Sequence, residues 1–179
     1  SLGTGVFAWC KNLATITVDA GNTFYTSPAG SNVIIEKANK EVVAGCKNSK
    51  LPSDVRIIGT SAFEGCENLP QINIHANITT IKANAYYGCS KVKTLNIPAS
   101  VTFIDDNAFG ACSSIESIVV DQYNKVYDSR KNCNAVIEKA TNTLVVGCMN
   151  TNIPSEITTI GNYAFCGCTG LTDIKLPVA

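Results

Sequence analysis

Nine cysteines and one histidine are the side chains in this 179-residue sequence whose types could carry covalent, redox or metal chemistry. A catalytic nucleophile needs a base within hydrogen-bond reach, so any serine or cysteine triad here would depend on His75. A structural zinc site needs four ligands, and a pair of histidines is ruled out. Cys166-Gly167-Cys168 has the spacing of a redox or metal pair, yet no histidine stands near it. The glycines recur singly instead of grouping into a loop that could cradle phosphate, so no nucleotide motif is present. The expectation is a chain without catalytic residues, without a metal and without a cofactor.

The cysteines fall into a pattern that is structural in origin. Cys10, Cys66, Cys89, Cys112 and Cys168 occupy one position of an internal repeat. Ile58, Ala62, Phe63, Gly65, Cys66, Leu69, Ile72 and Ile74 recur as Ile81, Ala85, Tyr86, Gly88, Cys89, Val92, Leu95 and Ile97, a period of 23 residues. The same series continues at Ile104, Ala108, Phe109, Ala111, Cys112, Ile115, Ile118 and Val120, and it brackets these copies at Leu2–Val18 and Ile160–Leu176. Five coils are therefore visible. A buried cysteine behaves as a small apolar side chain, so the five equivalent thiols are expected to form a ladder of free sulfurs inside a stack.

A longer period of 102 residues overlies the first and maps Asp19 onto Asp121, Asn22 onto Asn124, Tyr25 onto Tyr127, Gly45-Cys46 onto Gly147-Cys148 and Pro52-Ser53 onto Pro154-Ser155. Two coils thus carry the same extra segment, at about 19–51 and 121–153. Within these segments Val33–Lys37 and Val42–Gly45, and again Ala135–Lys139 and Leu144–Gly147, read as β-hairpins. Cys133 and Cys148 flank the second hairpin and could face each other, so a cross-strand disulfide is left open. The equivalent of Cys133 in the first segment is Ser31, which means such a bond is not essential to the module.

Leu95-Asn96-Ile97 and its counterparts alternate apolar with polar, as a half-buried strand requires. One such strand per coil, always in the same direction, implies a parallel sheet. The run Asn107–Cys112 is too short for an independent helix and is expected to form a helical or 3₁₀ turn on the opposite wall. One coil cannot bury enough apolar surface to fold alone, so neighbours must share the core. The sequence starts within a coil and stops where another would begin, and the expectation is a single solenoid domain over 1–179, cut from a longer array.

The series Ile157-Thr158-Thr159-Ile160-Gly161, Ala164-Phe165, Gly167-Cys168, Leu171, Ile174 and Leu176-Pro177 resembles the BspA-like class of leucine-rich repeats. The resemblance extends over essentially the whole chain, including Asn132–Glu138 and Gly147-Cys148 of the second hairpin. It implies an α/β repeat solenoid, a right-handed coil with a parallel β-sheet on one face, short helical or 3₁₀ turns on the other and two β-hairpin insertions. It further implies a secreted or cell-surface protein of the adhesion type, without known catalytic residues. Lys82 and Asp105 depart from the family glycine at their coil position, and His75 stands where Pro98 occurs.

Fourteen basic and fourteen acidic residues balance to a net charge of zero with no Lys/Arg run, so nucleic acid is not an expected partner. No apolar stretch approaches the roughly 20 residues that span a bilayer, and Ser1–Cys10 lacks the layout of a signal peptide. The expected partner is a protein or other cell-surface ligand, and uncapped solenoid ends could also self-associate. Alternation places Thr15, Thr17, Gln71, Asn73, Thr94, Asn96, Ser117, Val119, Asp173 and Lys175 outward on one face, which is the candidate ligand-binding surface. It holds no aromatic, so binding there is expected to be shallow and dependent on avidity. The alternative reading is a structural spacer that displays another domain of a longer surface protein. A thiol oxidoreductase using Cys166 and Cys168 is a third.

Overall fold

The computed structural model describes residues 1–177. In chain order the strands are Tyr25–Thr26 (β1), Ile34–Glu36 (β2), Glu41–Ala44 (β3), Ile57–Ile58 (β4), Thr80–Ile81 (β5), Thr94–Ile97 (β6), Phe103–Ile104 (β7), Ser117–Val120 (β8), Tyr127–Asp128 (β9), Ala135–Glu138 (β10), Thr143–Gly147 (β11) and Thr159–Ile160 (β12). Each is short because a coil must turn several times within 23 residues. Stability comes from stacking the pieces, and one apolar core runs from Val33 to Cys148.

Backbone pairing is richest on a wall that alternation does not predict. There β4, β5 and β7 run parallel, with Ile58 opposite Ile81 and Ile81 opposite Ile104. Two-residue strands carry no readable periodicity, which is why only their recurrence at 23-residue intervals marks them. On the wall that alternation does predict, Leu95 lies opposite Ile118 and Ile97 opposite Val120 in a parallel pair, β6 with β8. The corresponding segments of the other three coils form no strand among the described residues. The single parallel sheet expected through all five coils is thus corrected to two walls, one of them paired only between two neighbours.

The expected helical turns are also corrected. Among the described residues the one helical element is a 3₁₀ turn at Arg130–Asn132, inside the second long segment. The Asn107–Cys112 wall is a chain of tight turns in which every fourth residue has a positive φ: Ser61 and Gly65, Asn84 and Gly88, Asn107 and Ala111. Each such residue breaks a helix before it can propagate. Alternate N–H groups close turns within the coil, as from Gly110 to Asn107 and from Cys112 to Phe109. The others donate to the next coil, from Phe63 to Ala85, Gly65 to Tyr87, Tyr86 to Ala108 and Gly88 to Gly110, at 2.7–2.8 Å. This division satisfies both sets of buried amides, and Asn107 adds a side-chain bond to Asn84 at 2.9 Å.

The two long segments enter this stack in the same way. β1, β2 and β3 form an antiparallel meander, and β3 then pairs parallel with β4, Val42 opposite Ile58. In the second segment β9, β10 and β11 repeat this, with β11 parallel to β12 and Leu144 opposite Ile160. On the turn wall, by contrast, the flanking coils meet directly: Trp9 donates to the Glu64 carbonyl at 3.0 Å and Ala111 to that of Cys166 at 2.7 Å. Each segment therefore adds three strands on one side of the stack and leaves the opposite side in contact.

Candidate functional site

The thiols are placed by the stack. Cys66, Cys89 and Cys112 are buried, Cys168 is half-buried and Cys10 is exposed. Each of the first four points at a carbonyl of the neighbouring layer: Cys66 at Gly45, Cys89 at Phe63, Cys112 at Tyr86 and Cys168 at Gly147, from 3.1 to 3.8 Å. Burial pushes the Cys66 thiol up to about 12 and the Cys168 thiol up to about 11. The Cys89 thiol is held well above its ordinary value, first by its hydrogen bond with Cys112 and then by burial. Thiols so placed stay protonated and make poor nucleophiles. All nine cysteines are free. Cys133 faces the small cluster with Ala135, Ile137 and Leu144, while Cys148 belongs to the main core, so the two point into different compartments.

His75 is half-buried and ties two coils together, its Nε2 lying 3.0 Å from the Pro52 carbonyl while Nδ1 takes the Asn77 amide at 3.3 Å. Both nitrogens are thus committed to backbone. Among the described residues no group of three or more His, Cys, Asp or Glu side chains could hold a metal ion. Among the described residues no helix is long and apolar enough to cross a membrane.

Of the ten outward positions, Thr15, Thr17, Gln71, Asn73, Thr94, Asn96, Val119, Asp173 and Lys175 are exposed and Ser117 is half-buried. The β6–β8 register sets Thr94 beside Ser117 and Asn96 beside Val119, which makes a fixed two-by-two patch over the buried Leu95 and Ile118. Thr15 and Thr17 lie beyond the first long segment, and Asp173 and Lys175 beyond the second. In both places side chains take over from a strand ladder: Ile16 donates to Asn32 and Ile118 to Asn134.

Gln71 and Asn73 line a cleft that alternation does not disclose. Its volume is about 580 Å³, and its other wall is Asn32 with Lys47, Asn48, Ser49 and Lys50 from the first long segment. Comparison of the two 102-residue copies marks the difference, since Lys47, Lys50 and Gln71 become Met149, Asn152 and Asp173 in the second.

The fold and these surfaces can be set beside known proteins. The chain is similar to a leucine-rich cell surface protein from Faecalibacterium prausnitzii, with 25% identity, a TM-score of 0.60, 69% of this chain covered and 34% of that one. A leucine-rich repeat protein from Eubacterium ventriosum has the same fold over 98% of this chain and 45% of its own, at 22% identity and a TM-score of 0.64. The pneumococcal vaccine antigen PcpA shares it over 70% of this chain and 38% of its own, at 20% identity and a TM-score of 0.54. The chain thus spans less than half the length of each. No match was found among curated proteins. Six copies of the BspA type leucine rich repeat region cover residues 34–141 and 145–179, and with its ladder of buried cysteines and twice-repeated meander the chain belongs to that leucine-rich-repeat family.

Proposed function

We propose that this chain is a non-catalytic interaction module, displayed on a cell surface or secreted, that holds a protein or other cell-surface ligand against the outward face of a right-handed solenoid. On this reading residues 1–179 are one domain of a longer array, with the two meanders as insertions at about 19–51 and 121–153. The observation that carries it is the patch of Thr94, Asn96, Ser117 and Val119: polar and apolar groups held in register on a packed core, outside any buried network. The similarity to a bacterial cell surface protein supports the location. Shallow, uncharged contacts gain strength by repetition along an array. Exposed Leu2, Phe7, Ile174 and Leu176 toward the two ends supply apolar surface through which copies could also self-associate.

Capture of matrix and cell-surface proteins by the immobilised chain tests the proposal. The variant Thr94→Lys/Asn96→Glu/Ser117→Lys should lose at least ten-fold in retained ligand while keeping its circular dichroism. Undiminished capture would remove the face from consideration. Absence of any captured ligand would favour a spacer.

A further inference from the structure

The cleft between the first meander and the second coil has an unused backbone edge as well as unpaired charge. Gln71 to Ile74 make no backbone hydrogen bond among the described residues, whereas the equivalent residues Thr94–Ile97 are paired with Ser117–Val120. Four consecutive residues with unpaired N–H and C=O groups can serve as a template for one more strand. Facing that edge are Lys47 and Lys50, neither of which enters an ion pair among the described residues. Among the described residues no carboxylate lines the cleft. The side-chain amides of Asn48, Gln71 and Asn73 also take no hydrogen-bond partner there. The lining contains no aromatic ring, so a sugar would find nothing to stack on.

We infer that this cleft binds an extended acidic peptide, which pairs its backbone with Gln71–Ile74 and presents carboxylates on alternate residues to Lys47 and Lys50. Pairing by strand addition supplies affinity that is indifferent to sequence, and the side chains that meet the pocket wall supply the choice. At about 3.3 Å per residue, four residues of edge accept roughly 13 Å of ligand. The cavity lies within the range of roughly 300–1,000 Å³ typical of ligand sites. The sister position in the second copy has the same scaffold but the wrong charge: Met149 and Asn152 replace the lysines, and Asp173 would repel the ligand. The selectivity of one copy over the other is therefore built into three positions. The inference rests on the interaction-module reading and names the ligand class of one part of that surface.

The test uses the full 179-residue chain and a fluorescein-labelled peptide alternating glutamate with valine, seven residues long. Polarisation should report saturable binding at one site, weakening as salt rises because exposed charges are screened within about 8 Å at 0.15 M. Lys47→Glu/Lys50→Glu should bind at least ten-fold more weakly, while Met149→Glu/Asn152→Glu, an equal change of charge at the sister position, should bind as the native chain does. Met149→Lys/Asn152→Lys/Asp173→Gln should raise the stoichiometry from one to two. A peptide N-methylated on every residue should fail to bind, because it can no longer donate to the edge. Equal binding by the Lys47/Lys50 variant, by the N-methylated peptide or by a polygalacturonate chain in place of the peptide would overturn the inference. So would absence of binding to the native chain at millimolar peptide. That last result would leave capture of ligands by the Thr94–Ser117 patch untouched, so the two readings fail separately.

Discussion

Gly45 lies directly against the ring of Phe63, so close that a β-carbon on the glycine would stand 2.0 Å from Cε1. Gly147 approaches Phe165 in the same way, at 2.3 Å. Phe63 stacks on Tyr86 at 4.9 Å between ring centroids, and Tyr86 on Phe109 at 5.7 Å, so the ring has no freedom to retreat. Overpacking of a filled core costs about 1–3 kcal/mol and sometimes more. Gly45→Ala should therefore lower the unfolding free energy measured in urea by an amount in that range or above it, while Gly30→Ala, in open space but at a positive φ of 74°, should cost about 1 kcal/mol.

Asn124 is 1% exposed and uses its whole amide: Nδ2 donates to the carbonyls of Pro98 and Val101 at 2.8 and 2.9 Å, and Oδ1 accepts from Val126 and Tyr127 at 2.9 and 2.8 Å. Removing it leaves several buried polar groups unmatched, each worth about 1–3 kcal/mol. Asn124→Ala should destabilise by at least about 3 kcal/mol in chemical denaturation. Asn22→Ala, where only the two acceptor bonds to Phe24 and Tyr25 are made, should cost roughly half as much. Equal losses at the two sites would contradict the role given to the carbonyl bonds.

Alkaline pH should weaken the fold. The Cys66 thiol titrates at about 12 in the native chain against an ordinary 9.0, because burial disfavours its thiolate. Above pH 9 the unfolded chain has released a proton that the native chain still holds, so stability present below that pH is lost as pH rises toward 12. One such thiol contributes a slope of at most about 1.4 kcal/mol per pH unit. Urea titrations at pH 9, 10 and 11 should show a falling midpoint, and Cys66→Ala should flatten the fall. A native and a variant slope that coincide would show that the buried thiol is not the cause.

Lys82 reaches across Gly59 to both carboxylate oxygens of Glu41, at 2.8 and 2.9 Å. Glu41 is 8% exposed and Lys82 about a third exposed at its side chain. The departure from glycine at position 82 is thereby explained, for a glycine there would leave the buried carboxylate without its cation. Lys82→Ala should cost about 1–3 kcal/mol, less than the loss of a fully buried partner because solvent reaches the lysine. Glu41→Gln/Lys82→Met should recover most of it, giving a coupling that a double-mutant cycle can read.

Much of the stack could be read from recurrence. The common position of Cys66, Cys89 and Cys112 places three sulfurs inside before any strand is assigned, and the match of Tyr25 with Tyr127 anticipates one job done twice: their hydroxyls accept from Leu2 and Ile104, both at 2.9 Å. The turn wall was legible in principle, because Ser61, Asn84 and Asn107 are followed four positions on by Gly65, Gly88 and Ala111, and Asn and Gly tolerate positive φ. Its short apolar run imitates a helical turn, which hides that signal. The cleft at Lys47 was not legible. Lys50 and Gln71 are distant in sequence, and alternation around Ile72 says which side chains point outward but not whether the backbone beside them finds a partner.

Three strands inserted on one wall, with the opposite wall left closed at Trp9–Glu64 and again at Ala111–Cys166, force the axis of the stack to bend. At about 4.8 Å per strand the longer side gains roughly 14 Å at each insertion. Two insertions of the same design, 102 residues apart, bend it in the same sense, so an array of this kind curves into an arc instead of extending as a rod. A ligand that touches more than one module must follow that curve, and its length and stiffness then decide how many modules it can grip.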